Sequence, residues 1–169
     1  MTAEATETKG TGESAACRIF LVVADDTEEF KPALEYASLR AKRLGGRVAI
    51  LHVLPPVEFA HFMFVGEVMR EDQRQDARSL LDGFAAQVRE ITGREPIVLL
   101  REGDRREELL KILETETIHM LVLGADPGSN GPGPLITSLT TRDLQRLHVP
   151  MTLIPGGMSA TDIHAAAEI

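Results

Sequence analysis

Residues 124 to 138 read GADPGSNGPGPLITS, with four glycines and three prolines in fifteen positions. The stretch follows an apolar run, His119 to Leu123, and precedes a helix-like stretch, Leu139 to His148. A glycine-rich turn between a strand and a helix can bring backbone amides up to a phosphate, with the helix dipole behind them. The same composition also makes a plain flexible connection, and the residues alone leave both readings open. Earlier in the chain, Asp25-Asp26-Thr27 follows the apolar run Ile19 to Ala24 and sets carboxylates at a strand end. Histidines 52, 61, 119, 148 and 164 show no metal-ligand spacing, so no metal site is expected. His52 lies inside an apolar run and reads as a satisfied core histidine. Cys17 has no neighbouring histidine. There is no Gly-x-Ser-x-Gly elbow and no Gly-Lys-Ser/Thr ending to the glycine loop.

Composition narrows the classes further. The 169 residues suit one domain with a real core, and 43% of them are hydrophobic. A formal net charge of -8 argues against a nucleic-acid binder, which needs a basic face to displace counterions, and against docking on anionic membrane. No apolar run approaches the roughly 18 residues of a membrane span. One cysteine cannot close an internal disulfide, and residues 1–16 hold no basic-then-apolar leader, so a cytoplasmic location is expected.

Those chemical groups need elements to hold them. Residues 1–16 are Thr, Glu, Ala, Gly and Ser without a large apolar residue after Met1, which predicts a disordered tail. Residues 156–169 read as a second tail with room for a short helix. Between them, in a domain spanning residues 17–155, lie five apolar runs: 19–24, 48–54, 96–100, 120–123 and 151–154. They are apolar on both faces, as buried strands of a parallel sheet are. Helical stripes fill the gaps. The first is Phe30, Ala33, Leu34, Ala37, Ala41 and Leu44; the second is Ala77, Leu81, Phe84, Ala85, Val88 and Ile91. Leu109, Leu110 and Leu113 form a third, opened by the capping-box spacing Asp104-Arg-Arg-Glu107, and Leu139, Leu144 and Leu147 suggest a fourth. Alternating strands and helices predict a doubly wound α/β sheet.

The order and spacing of these pieces resemble the universal stress protein family from Arg18 to Pro155. IFLVVADDTEEFKPALEYASLRAKRLGGRVAILHVLPP is similar to its opening strand, acidic turn, first helix and second strand. REGDRREELLKILETETIHMLVLG resembles its Gly-Asp turn, third helix and fourth strand, and LQRLHVPMTLIP its closing helix, Val-Pro pair and last strand. The resemblance implies a five-stranded parallel sheet of order 3-2-1-4-5, the adenine nucleotide alpha hydrolase-like fold. It also implies a crevice where the order reverses, between strands 1 and 4. Many members bind ATP there, with magnesium. Transferred residue by residue, the implied nucleotide contacts are Val23, Asp25, Val53, Leu123, Gly124, Gly128, Thr137, Ser138 and Leu139, with AMP or ATP as the ligand. Val23, Val53, Leu123 and Leu139 read equally well as core residues, Asp25 as a helix-capping turn residue, and Asp104 as a helix cap.

The family loop runs Gly, two residues, Gly, nine residues, then Gly and Ser or Thr. Laid on this chain without gaps, it places Gly124 first, Pro127 second, Thr137 third and Ser138 at the hydroxyl position. Pro127 removes an amide donor and Thr137 brings a β-branched side chain toward the phosphate. Gly128 can substitute if the loop slips by one residue, with Gly131 and Gly133 keeping it supple. Two functions therefore stand. One is a stress-response regulatory module that binds nucleotide through a degenerate glycine loop; the other is a dimeric protein-interaction module with no nucleotide. Slow ATP hydrolysis or autophosphorylation at a loop Ser or Thr stays open, without a dedicated catalytic set. The family also implies a homodimer through the last strand, Met151 to Ile154, which would otherwise be a short apolar edge. Residues 57–69, VEFAHFMFVGEVM, read as a lid, as a partner contact or as packing at the start of the second helix. Asp26, where the family has Gly, reads as a solvated turn residue. A receiver domain does not fit, because no Lys follows the fifth apolar run, and neither does an Asp-x-Asp hydrolase, because Asp25-Asp26-Thr27 lacks that spacing.

Overall fold

The computed structural model describes residues 17–25, 27–56, 63–128 and 130–169. The tail expected at 1–16, the turn residue Asp26 and residues 57–62 of the Phe- and Met-rich stretch lie outside the described residues. Five parallel strands form one sheet of order β3-β2-β1-β4-β5: β1 Ile19–Val23, β2 Arg47–Leu54, β3 Ile97–Glu102, β4 Met120–Ala125 and β5 Met151–Pro155. The order implied by the family resemblance is the order observed.

Strand period explains why the strands are apolar on both faces. Phe20 and Val22 of β1, Ala24 just after it, Val48 and Ile50 of β2 and Val122 of β4 pack with α1 (Phe30–Arg43) and α2 (Met63–Thr92). Their neighbours Leu21, Val23, Ala49, Leu51, Val53, Leu121 and Leu123 pack with α3 (Arg105–Thr115) and α4 (Pro134–Thr141). Each strand thus contributes to two cores. The stripe Phe30, Ala33, Leu34, Ala37, Ala41 is the buried face of α1, while its last member, Leu44, is the C-cap and half-buried. In α2 the expected stripe is buried from Ala77 to Val88, its last member Ile91 is half-buried, and the helix begins well before the stripe, at Met63. There Val68 and Met69, the end of the Phe- and Met-rich stretch, are 62% and 42% exposed.

Two ends of elements differ from the sequence reading. The capping box of α3 is half formed: Asp104 accepts a hydrogen bond from the Glu107 amide at 2.9 Å, but Glu107 turns its carboxylate to Arg106 and Arg146. The fourth helix does not run from Leu139 to Leu147. It ends at Thr141, a 3-10 turn follows at Leu144–Arg146, and Leu144 is 61% exposed. The break has a tertiary cause. Asp143 is buried at 3% exposure, and Arg106 of α3 donates from Nε and Nη2 to its two oxygens at 2.5 and 2.6 Å. Holding that carboxylate inward takes residue 143 out of helical register.

The C-terminal stretch, read as a tail with room for a short helix, forms α5, Ala160–Glu168. Ser159 caps it, accepting from the Asp162 amide at 3.2 Å. Ile163 and Ala167, four residues apart, are buried. The helix packs on α1, where Arg40 Nη1 donates to the Ala167 carbonyl at 3.3 Å and His164 Nε2 meets Glu35 at 3.0 Å. Small side chains on α5 hide its amphipathic face from a composition reading, but an Ile–Ala pair is enough to dock one turn.

The Arg106–Asp143 pair makes stability depend on acid. The forked hydrogen bond, helped by the charges of Arg106, Arg146 and Arg142, outweighs desolvation and holds the Asp143 carboxyl below its usual range. A depressed folded pKa contributes stability that is complete above the unfolded carboxylate value, about 4, and is lost as pH falls below it. Asp143→Asn is therefore expected to melt several degrees lower than the parent at neutral pH. The gap should narrow as pH drops below about 4. Parallel melting curves across that range decide the matter; a gap independent of pH would rule out the ion pair as its source.

Candidate functional site

Strand order reverses at β1, which has β2 on one side and β4 on the other. Beyond the carboxyl ends of β1 and β4 the two connections diverge, and a cavity of about 230 Å³ opens between them. Val23 and Asp25 come from the end of β1, and Thr27, Glu29 and Phe30 from the turn into α1. Leu123, Gly124 and Asp126 come from the end of β4; Pro132 to Ile136 come from the loop and the start of α4. Arg105, the first residue of α3, completes the wall.

Val23 and Leu123 give the cavity an apolar floor, continuous with the core shared by α3 and α4. His52 Nδ1 lies 3.0 Å from the Ala24 carbonyl, so the expected core histidine is satisfied and steadies the residue before Asp25. One oxygen of Asp25 accepts from both the Thr27 amide at 3.2 Å and the Thr27 hydroxyl at 2.5 Å. The other faces Arg105 Nη1 at 3.5 Å across the mouth. Asp25 thus holds the turn and faces the crevice, but it does not cap α1, whose N-cap is Glu29 with no side-chain cap hydrogen bond.

Of the residues transferred from the family pattern, Val23, Asp25, Leu123 and Gly124 line this cavity. Five others do not. Val53 is buried in the core beneath α3. The Gly128 amide is donated to Asp126 Oδ1 at 2.7 Å. Thr137, Ser138 and Leu139 stand inside α4 rather than at its mouth. Thr137 returns its hydroxyl to the Gly133 carbonyl at 2.9 Å, and Leu139 is fully buried. The reason is where the helix begins. Pro134 fits the first helical turn, where no amide donor is needed, and Gly133 precedes it with φ 107°. The residues at the junction of loop and helix are therefore Gly133 and Pro134, four positions before the pair that gapless spacing selects.

Arg105, Glu29, Phe30 and Asp126 were missed by the sequence reading. The one signal for Arg105 was its place directly after the Asp104 cap, at the same rim of the sheet as the ends of β1 and β4. Among the described residues, no cluster of three or more His, Cys, Asp or Glu side chains is placed to hold a metal ion. No helix among them is long and apolar enough to cross a membrane.

A family model described as Universal stress protein family matches residues 17–155. Among solved structures, the fold is similar to that of the universal stress protein UspA from Lactobacillus plantarum. That match has TM-score 0.68 and 16% identity, covering 81% of this chain and 97% of that one. A universal stress protein in complex with cAMP gives TM-score 0.59 at 11% identity, covering 83% and 98%. A family protein from Arabidopsis thaliana with AMP bound gives 0.60 at 18%, covering 86% and 94%. No match was found among curated protein sequences.

Proposed function

The chain belongs to the universal stress protein family, and from that premise we propose that it is a cytoplasmic stress-response regulatory module. In this reading it binds an adenine nucleotide in the β1/β4 crevice and works as a homodimer. One observation carries the nucleotide reading: an apolar floor of Val23 and Leu123 lies beside a carboxylate, Asp25, already aimed at the mouth. A flat base suits the floor, and ribose hydroxyls suit Asp25 as donors to an acceptor. The AMP and cAMP complexes of proteins with this fold lend support. For the dimer, the support is β5, which pairs with β4 alone among the described residues and leaves Leu153 39% exposed on a short edge.

The glycine loop favours a second reading, an interaction module without nucleotide. Pro127 has no amide hydrogen, Gly128 has already donated its own, and Thr137 and Ser138 lie past the loop.

One preparation tests both parts. Light scattering behind a sizing column is expected to give twice the 18.5 kDa chain mass. Denaturing that peak should release about one adenine nucleotide per chain, read at 260 nm on an anion-exchange column. The chain has no Trp and one Tyr, so its own absorbance interferes little. A monomeric peak sinks the dimer. Absence of nucleotide, with melting temperature unmoved by millimolar AMP, cAMP or ATP with magnesium, leaves the interaction module.

A further inference from the structure

The crevice is lined by three carboxylates, Asp25, Glu29 and Asp126, and by a single cationic side chain among the described residues, Arg105. We propose that Arg105 is the specificity-determining residue of the crevice: its guanidinium, released from Asp25, takes the phosphate of the ligand and selects one compact phosphate group over a triphosphate. The inference rests on the nucleotide reading above.

Three features converge on it. First, several described positions around the loop offer no donor to a polyphosphate. Pro127, Pro132 and Pro134 carry no amide hydrogen, and the Gly128 amide is already given to Asp126. Second, the acidic lining opposes a highly charged ligand. A phosphate monoester carries about two negative charges near neutral pH and a cyclic diester fewer, whereas a triphosphate tail sets more charge beside Asp126 and Glu29. Third, the cavity is small. At about 230 Å³ it lies below the roughly 300–1,000 Å³ of ordinary small-molecule sites, so a long tail would extend beyond it.

Arg105 suits the task by place and chemistry. It stands on the first turn of α3, whose start Asp104 fixes, so its Cα is held while its long arm reaches the mouth. Its fork can meet two phosphate oxygens at once, which an ammonium cannot do. At 3.5 Å and 44% exposure, its pairing with Asp25 is loose. A ribose donating to Asp25 and a phosphate accepting from Arg105 would replace that pairing with two better ones. The substrate class is therefore a nucleoside monophosphate, open or cyclic.

Calorimetry on protein stripped of co-purified nucleotide tests this, using adenosine, AMP, cAMP and ATP with and without magnesium. The parent is expected to bind AMP or cAMP at least ten-fold tighter than ATP in either condition. Arg105→Ala should lose at least ten-fold for the monophosphate and leave adenosine unchanged. Arg105→Lys should fall between the two. Equal binding of AMP by the parent and Arg105→Ala, or ATP binding as tightly as AMP, overturns the role of Arg105 while the nucleotide reading stands. Failure of the parent to bind any of the four ligands overturns both. Melting curves of the two variants, expected to match the parent because Arg105 is exposed, exclude misfolding as the cause.

Discussion

Gly124→Ala is expected to destabilise the protein by about 1–3 kcal/mol, the usual cost of forcing atoms into a packed core, and to abolish binding in the crevice. Gly124 is the next-to-last residue of β4 and lies against the turn into α1. A Cβ there would fall on the backbone of Glu29, 2.6 Å from its carbonyl carbon, and would sit 3.2 Å from the Phe30 amide nitrogen. The obstacle is main chain at the start of a helix, not the tip of a flexible side chain, so relief requires moving the first turn of α1. That turn carries Glu29 and Phe30 into the cavity wall, and Asp25 lies just before it. Packing and site therefore fail together. Gly83→Ala is the matched control: Gly83 is exposed on α2 with open space around its Cβ position. Removing a helical glycine there should stabilise by up to about 1 kcal/mol. Denaturant midpoints for the two variants, with nucleotide titrations alongside, give the answer. If Gly124→Ala unfolds with the parent, the close approach of β4 and α1 is not what requires glycine.

How much of this could be read in the chain depends on whether a feature is written locally or assembled through space. The strands were legible because Phe20-Leu-Val-Val23 feeds two cores in alternation and so has no polar face to hide it. Their order came from the family resemblance, since nothing in β4 itself says that it lies beside β1. Four of the nine transferred residues line the cavity, Asp25 and Gly124 among them, because these lie at or next to strand ends, which the pattern fixes. Thr137 and Ser138 fall inside α4, away from the cavity, because counting residues assumes a loop of standard length. Pro134 starts the helix early, and a proline at a first turn is a stronger signal than a spacing. Arg105 was missed for the opposite reason. It follows β3, two strands away from β1, and only the reach of its side chain brings it to Asp25. The break after α4 was hidden too, because the partner that pulls Asp143 inward, Arg106, is 37 residues distant.

Phe84→Ala carries the other large effect, an expected loss of about 3–5 kcal/mol. Natural domains have only about 5–15 kcal/mol in hand, so this variant should be marginal at 37 °C. Phe84 belongs to the buried half of α2, and its ring meets Phe30 edge-on, with centroids 4.6 Å apart and planes at 61°. Truncation removes the apolar burial, leaves a cavity between α1 and α2, and deletes a favourable quadrupole contact. Phe84→Leu fills most of that volume without the ring geometry and should recover more than half of the loss. Urea titrations of the three proteins, with a common slope, would show this as a ranked shift of midpoints. A midpoint for Phe84→Ala within about 0.5 kcal/mol of the parent, the range of inert surface changes, would mean that the ring is not part of the core. The consequence for the site follows from Phe30, which touches Phe84 on one side and lines the crevice on the other. Without its partner, Phe30 gains room to turn, and the crevice wall loses its fixed position before any ligand-facing atom has been changed. AMP affinity should therefore fall in Phe84→Ala and return in Phe84→Leu, so that a residue outside the crevice wall reports on it through one aromatic contact.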